Sequence, residues 1–270
     1  MNRRKVLKFL AAGAAFCPTC LSAAQSFAAA KGHGKPVAKG HAKGPPHWSY
    51  KGNTDGMEHW GELSPGFRVC ELGLQQSPVD LSGSITAGLN PIALNYGDTA
   101  MRVDNNGHTI QCNTDSGSDM VIDGKKYALL QFHFHHPSEH LSDGRPYAME
   151  MHLVHASADG QLAVLGVFIK PGATNQALAP IWSAMPSKQG PEIKRGSVRI
   201  RPAALLPANP ENYRYHGSLT TPPCSEKVLW TVYRQPIEAS RGQIKKFGDL
   251  FPMNARSAQP MNRRFLLTGK

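Results

Sequence analysis

Two stretches, Gln131-Phe132-His133-Phe134-His135 and Glu150-Met151-His152-Leu153-Val154, constrain this chain more than any other. Apolar and polar side chains alternate one by one in both, and that is the period of a strand. Parity then puts Gln131, His133 and His135 on one face of the first strand, with Phe132 and Phe134 on the other. In the second, Glu150, His152 and Val154 oppose Met149, Met151 and Leu153. If the two strands are antiparallel neighbours, three imidazoles converge above an apolar sheet face. Three imidazoles with a fourth position open is the donor set of a catalytic Zn²⁺ site. Gln131 and Glu150 then fall where partners for the remaining ring N–H groups belong. A His-x-His pair on a strand is common without a metal, so the third histidine and its acidic neighbour carry the weight.

More of the chain conforms to one pattern. The quoted strands, Ser138-Glu139-His140 and His155 are accompanied in order by Tyr50, Glu58-His59-Trp60 and Gln76-Ser77-Pro78-Val79-Asp80. Asn105-Asn106-Gly107-His108, Leu162-Ala163-Val164-Leu165-Gly166, Gly217-Ser218-Leu219-Thr220-Thr221-Pro222-Pro223-Cys224 and Asn254-Ala255-Arg256 follow. Over residues 47 to about 265 the chain resembles the alpha class of carbonic anhydrases. Two departures, Met57 in a usual proline position and Ser257 in another, lie outside the imidazole set.

The N-terminus reads as an address. Residues 2–8 are basic, Phe9 to Phe16 is apolar but too short to span a bilayer, and Ala28-Ala29-Ala30 offers a small-residue cleavage site. The Arg3-Arg4 pair resembles a twin-arginine signal; an ordinary secretory signal is the alternative. Residues 1–30 are therefore expected to be a cleaved export signal carrying away Cys17 and Cys20. Residues 31–46, rich in Gly, Lys and Pro with His33 and His41, lack the apolar content to fold and read as a solvated spacer. Residues 47–270 are left as one catalytic domain, in a periplasmic or secreted location with no stable membrane insertion.

The chain carries a formal +11, and loss of the four basic residues of the signal would leave +7. Such a surplus suits general attraction to anions. It does not point to nucleic acid, because the basic residues are dispersed and no recognition motif is present. Short apolar runs separated by Asp-Gly and Asn-Gly turns read as strands. Helix signals are few; Gln176 to Met185 and Ser240 to Leu250 are the best, the second capped by Ser240. The resemblance implies a mainly β (α+β) fold: a single domain with a large, mostly antiparallel twisted central sheet and short peripheral helices. It also implies a Cys70–Cys224 disulfide that tethers the loop bearing Thr220. Cys112 is then a buried free thiol.

The chemistry implied by the resemblance is reversible hydration of CO₂ to bicarbonate and a proton. One Zn²⁺ per chain would be held by His133, His135 and His152, and would supply hydroxide as nucleophile. Carbonic anhydrase is itself the standard example of a three-histidine zinc that brings water's pKa to about 7. The resemblance makes Thr220 the residue that orients the nucleophile through Glu139, and Asn254 a support of the ligand shell beside Gln131 and Glu150. Val154, Val164, Leu219 and Trp230, with Thr220 and Thr221, would receive CO₂, and His108 would shuttle the proton. His140 and His155 would be buried structural residues and His59 a packing residue. The same nucleophile could attack esters as a side activity. Two other readings stay open: a catalytically silent binding module, disfavoured because all three ligand histidines are present, and a metal-sequestering protein, which would need many more tail histidines. The chain could act as a monomer or homodimer.

Overall fold

The computed structural model describes residues 46–269. The expected export signal, with Cys17 and Cys20, and the spacer through residue 45, with His33 and His41, lie outside the described residues.

In chain order the strands are β1 (Ile85–Thr86), β2 (Ala93–Asn95), β3 (Thr99–Asn105), β4 (Ile110–Asn113) and β5 (Asp119–Ile122). They continue with β6 (Lys125–His135), β7 (Leu141–Ser142), β8 (Arg145–Pro146), β9 (Met149–Ala156) and β10 (Leu162–Pro171). The last are β11 (Ile193–Ile200), β12 (Asn212–Ser218), β13 (Glu226–Tyr233), β14 (Ile237–Ala239) and β15 (Leu267–Gly269). All but β7 and β8 join one sheet, whose main path runs β1-β15-β12-β13-β10-β9-β6-β4-β3-β11. Most pairings are antiparallel, as expected; β1–β15, β10–β13 and β10–β14 are parallel.

Turn chemistry fixes two of the hairpins. Asp123-Gly124 joins β5 to β6 and Asp143-Gly144 joins β7 to β8, and both residues of each pair have positive φ. That is the backbone a two-residue hairpin requires, and Asp followed by Gly adopts it at little cost.

Around the central strands, parity sorts the side chains as expected. Phe132, Phe134, Met149, Met151 and Leu153 enter a buried apolar cluster with Leu165 and Val167. Helices α1 (Val69–Leu72), α2 (Ala179–Ala184) and α3 (Arg241–Gly248) are short. The last two cover this face: Phe134 meets Trp182 edge-on at 4.9 Å, and Trp182 donates its indole N–H to the Gln243 carbonyl at 2.8 Å. In α3, Ser240 and Gln243 form a reciprocal capping box. α2 is shorter than predicted, because Asn175 Oδ1 takes the N–H groups of Ala177 and Leu178 in a turn before the helix begins.

One feature of β6 escaped the sequence. Leu129 pairs with His155 and Gln131 with Val154, so Leu130 is an extra residue in β6. This bulge switches parity. It lets Tyr127 and Leu129 share the apolar face with Phe132 and Phe134, and leaves Leu130 exposed. His59 also differs from expectation: it is partly exposed and pairs with Glu62 at 3.3 Å, while its neighbour Trp60 is the buried residue.

Candidate metal centre

On the opposite face of the same strands, His133 of β6 lies directly across from His152 of β9, and His135 follows two residues on. The three ring centroids are 5.0, 5.4 and 4.5 Å apart. One nitrogen of each ring is already engaged. His133 Nδ1 meets Gln131 Oε1 at 2.9 Å, His135 Nδ1 meets the Asn254 carbonyl at 2.7 Å, and His152 Nε2 meets Glu150 Oε1 at 2.9 Å. All three partners are acceptors, so the engaged nitrogen must donate and carry the proton. The remaining nitrogens, Nε2 of His133 and His135 and Nδ1 of His152, therefore present lone pairs. One nitrogen from each ring lies within 4.8 Å of the others.

Burial favours the neutral form of two of these rings, His133 and His135. Desolvation holds the pKa of His133 well below the imidazole range, reinforced by the neighbouring His135 and His152, and desolvation also lowers that of His135. His135 Nε2 is buried without a hydrogen-bond partner among the described residues. Such an atom is costly unless something accepts its lone pair. The converging neutral nitrogens fit a tetrahedral N-ligated cation such as Zn²⁺.

Glu150 organises the floor. Its Oε2 accepts the main-chain N–H groups of Glu139 and His140 at 2.9 and 2.8 Å, and Oε1 accepts from His140 Nδ1 at 2.7 Å as well as from His152. Burial alone would raise its pKa, but His140 and His152 together hold it well below the carboxylate range. His140, Glu150 and His152 also lie close enough to suggest a second metal trio. His140, however, spends its other nitrogen on the Tyr215 hydroxyl at 2.7 Å, so that trio is a hydrogen-bond chain. Gly166 sits opposite His152, and a Cβ there would come within 2.9 Å of Glu150 Oε1. The glycine makes room for the carboxylate.

Around this centre the chain has polar and apolar parts. Val154, Val164 and Trp230 are buried in one cluster with Leu219 packed against it. The Trp230 indole donates to the Ser218 carbonyl at 2.9 Å, at the start of the segment carrying Thr220 and Thr221. Cys224 ends that segment in a disulfide with Cys70, while Cys112 is buried and free. His108 stacks on Trp48 with centroids 3.7 Å apart and planes 6° from parallel. It borders a cleft of about 340 Å³ shared with His47, Lys51, Phe251 and Asn254. None of the three metal-site imidazoles lines that cleft.

The family model described as eukaryotic-type carbonic anhydrase matches residues 55–266. The chain belongs to the alpha carbonic anhydrase family. A carbonic anhydrase of Nostoc sp. is 47% identical over 226 residues, covering 82% of this chain and 85% of the relative. One from Pectobacterium atrosepticum is 41% identical over 223 residues, covering 82% and 90%. The alpha carbonic anhydrase of Thermovibrio ammonificans, solved with the inhibitor sulfanilamide, superposes with a TM-score of 0.80 at 44% identity, covering 83% of this chain and all of that one.

Against the pattern of that family, the structure brings together the three histidines, Gln131, Glu150 and Asn254. It does not join Thr220 to Glu139: no hydrogen bond connects them among the described residues. Glu139 Oε2 instead lies unpartnered and buried, 3.5 Å from His135 Nε2 and 3.8 Å from His152 Nδ1. Its other oxygen accepts the main-chain N–H of Arg256 at 2.8 Å. The sequence pattern assigns Arg256 no role. The available signal was an arginine two residues beyond Asn254 in a segment otherwise free of charge.

Proposed function

We propose that this chain is an exported zinc enzyme that hydrates CO₂ reversibly to bicarbonate and a proton, with one Zn²⁺ held by His133, His135 and His152. The observation that carries the reading is the set of three acceptor-locked imidazoles whose free nitrogens converge. A zinc ion there would supply the Lewis acidity that lets water ionise near neutral pH and attack the carbon of CO₂. The residues around it divide the remaining work.

CO₂ is uncharged, and an apolar wall of Val154, Val164, Leu219 and Trp230 receives it without a polar clamp. Thr220 and Thr221 supply hydroxyls at the edge of that wall. With the metal bound, the Thr220 hydroxyl would accept from the nucleophile and turn to donate to Glu139, a bond the structure does not itself make, and would so aim a lone pair at the substrate. Glu139 Oε2 is suited to accept that bond because it has no other partner among the described residues. Gln131, Glu150 and Asn254 hold the rings and their tautomers.

The released proton leaves through His108. Desolvation first, and the neighbouring His47 second, lower its pKa from the usual value, which favours the neutral ring. Ester hydrolysis is a side activity of the same nucleophile. Export of residues 47–270 after loss of the signal is supported by the basic, apolar and small-residue order of residues 1–30 and by the disulfide. Among the described residues no helix is long and apolar enough to cross a membrane.

Metal analysis and stopped-flow CO₂ hydration before and after chelation test the reading. One zinc per chain is expected, with ligand distances of about 2.0–2.1 Å, and activity should vanish and return with the metal. His152→Ala should lose stoichiometric zinc and turnover together. Full zinc and full turnover in that variant would mean that the ligand assignment is wrong.

A further inference from the structure

Among the described residues, a single hydrogen bond, from the main-chain N–H of Arg256 to Oε1 at 2.8 Å, holds the Glu139 carboxylate. A buried carboxylate with one anchor takes its position from that anchor, so what fixes residue 256 also fixes Glu139. The Arg256 guanidinium supplies the fixing. Its Nη1 donates to Gln76 Oε1 at 2.8 Å and to the Ser77 carbonyl at 2.9 Å, and its Nη2 donates to the Cys70 carbonyl at 2.8 Å. Its Cζ also lies over the Trp60 ring, 5.5 Å from the ring centroid.

This is an expensive way to pin a loop. Arg256 is buried and forms no ion pair among the described residues, and burial brings its pKa down to about 10 despite the nearby Glu139. The groups it gathers are informative. Cys70 is bonded to Cys224, and Gln76 Nε2 donates to the Cys224 carbonyl at 3.1 Å. Cys224 closes the segment bearing Thr220, its N–H donating to the Thr221 carbonyl at 2.8 Å, while Leu219 N–H donates to the Ser225 carbonyl at 3.0 Å. One residue thus touches Glu139 with its backbone and, with its side chain, the cross-link that carries Thr220.

We infer that Arg256 is a positioning residue that sets the Glu139 carboxylate against the Thr220 segment, its main-chain N–H holding one and its guanidinium clamp holding the other. The inference rests on the reading of Glu139 and Thr220 as partners in a zinc enzyme. A fork of planar donors can bridge three carbonyl-type acceptors; a lysine ammonium keeps the charge without that geometry.

Arg256→Lys is the test. In the folded, zinc-loaded variant kcat/KM for CO₂ should fall about tenfold or more, with zinc stoichiometry unchanged. The midpoint of its pH profile should move to higher pH, because hydrogen bonds favouring the ionised nucleophile weaken. The second readout does not depend on turnover. The amide proton of residue 256 should be downfield and protected from exchange in the wild type, and should lose both properties in the variant. A variant with the wild-type pH midpoint and wild-type amide protection, altered only in melting temperature, would show the side chain to be structural and overturn the inference. If Arg256→Lys does not fold, Gln76→Leu, which removes one acceptor of the clamp, decides by the same two readouts. Absence of zinc-dependent turnover in the wild type would sink the enzyme reading instead, and the amide readout would still decide the clamp.

Discussion

The ring of His108 lies flat against Trp48, and its carbonyl is held by Asn254 Nδ2 at 2.9 Å. The Asn254 carbonyl also anchors His135. The proposed shuttle and a proposed metal ligand therefore share one support, but His108 is half-buried where His135 is fully buried. Substituting the ring should separate export of the proton from attack on CO₂. His108→Ala is expected to lower kcat at saturating CO₂ while leaving kcat/KM nearly unchanged, and added imidazole should restore much of the rate. Equal loss in both parameters, with no response to imidazole, would make His108 a structural residue. At this scale the sequence was informative where the partner is close along the chain. Gln131 and Glu150 each sit two residues from the histidine they hold, and strand parity alone puts them on its face. Arg256 was not readable, because it reaches Glu139, Gln76, Ser77 and Cys70 across more than a hundred residues and no local period records such contacts.

Strands and helices were readable in proportion to how regular they are. β6 and β9 carry an alternation that buried phenylalanines and methionines confirm, whereas the bulge at Leu130 adds one residue without changing composition. A parity switch of that kind shows only when the partner strand is in place. The Ser240 cap of α3 was visible because its signal lies within four residues. Its capping box joins Ser240 Oγ to Gln243 N–H at 3.2 Å and Gln243 Oε1 to Ser240 N–H at 3.0 Å. Ser240→Ala should destabilise the fold by about 1 kcal/mol, measured by urea unfolding, with zinc content unchanged. A cost near zero would mean that packing of Ile244 and Phe247 alone holds the helix. The Cys70–Cys224 bridge joins positions 154 residues apart and fastens α1 to the end of the Thr220 segment. Breaking it with Cys70→Ser and Cys224→Ser together should cost about 2–4 kcal/mol and lower activity as well as stability. If stability falls and turnover of the folded protein does not, the bridge has no part in placing Thr220.

For the molecule as a whole, acid is the condition that should find the weak point, and His155 is a chief reason outside the metal centre. It is a buried residue of β9, where Nε2 accepts from the Tyr96 hydroxyl at 2.6 Å and Nδ1 donates to the Ala163 carbonyl at 3.3 Å. Desolvation lowers its pKa to about 4; hydrogen bonds to the Ala163 and Leu153 carbonyls and the nearby Asp119 only partly oppose this. The unfolded chain binds the same proton near pH 6.5. As pH falls below that value the unfolded state gains a proton that the folded state refuses, so stability declines with acid until the folded pKa near 4 is passed. The loss from this one group is on the order of 3 kcal/mol. Chemical denaturation of the wild type and of His155→Gln at pH 7 and pH 4.5 isolates it. The variant should start less stable, because the Tyr96 and Ala163 contacts are not both replaced, but its stability should change less with pH, by close to one proton. Parallel pH dependences would show that His155 remains neutral in both states or is protonated in both, and that acid lability arises elsewhere in the fold.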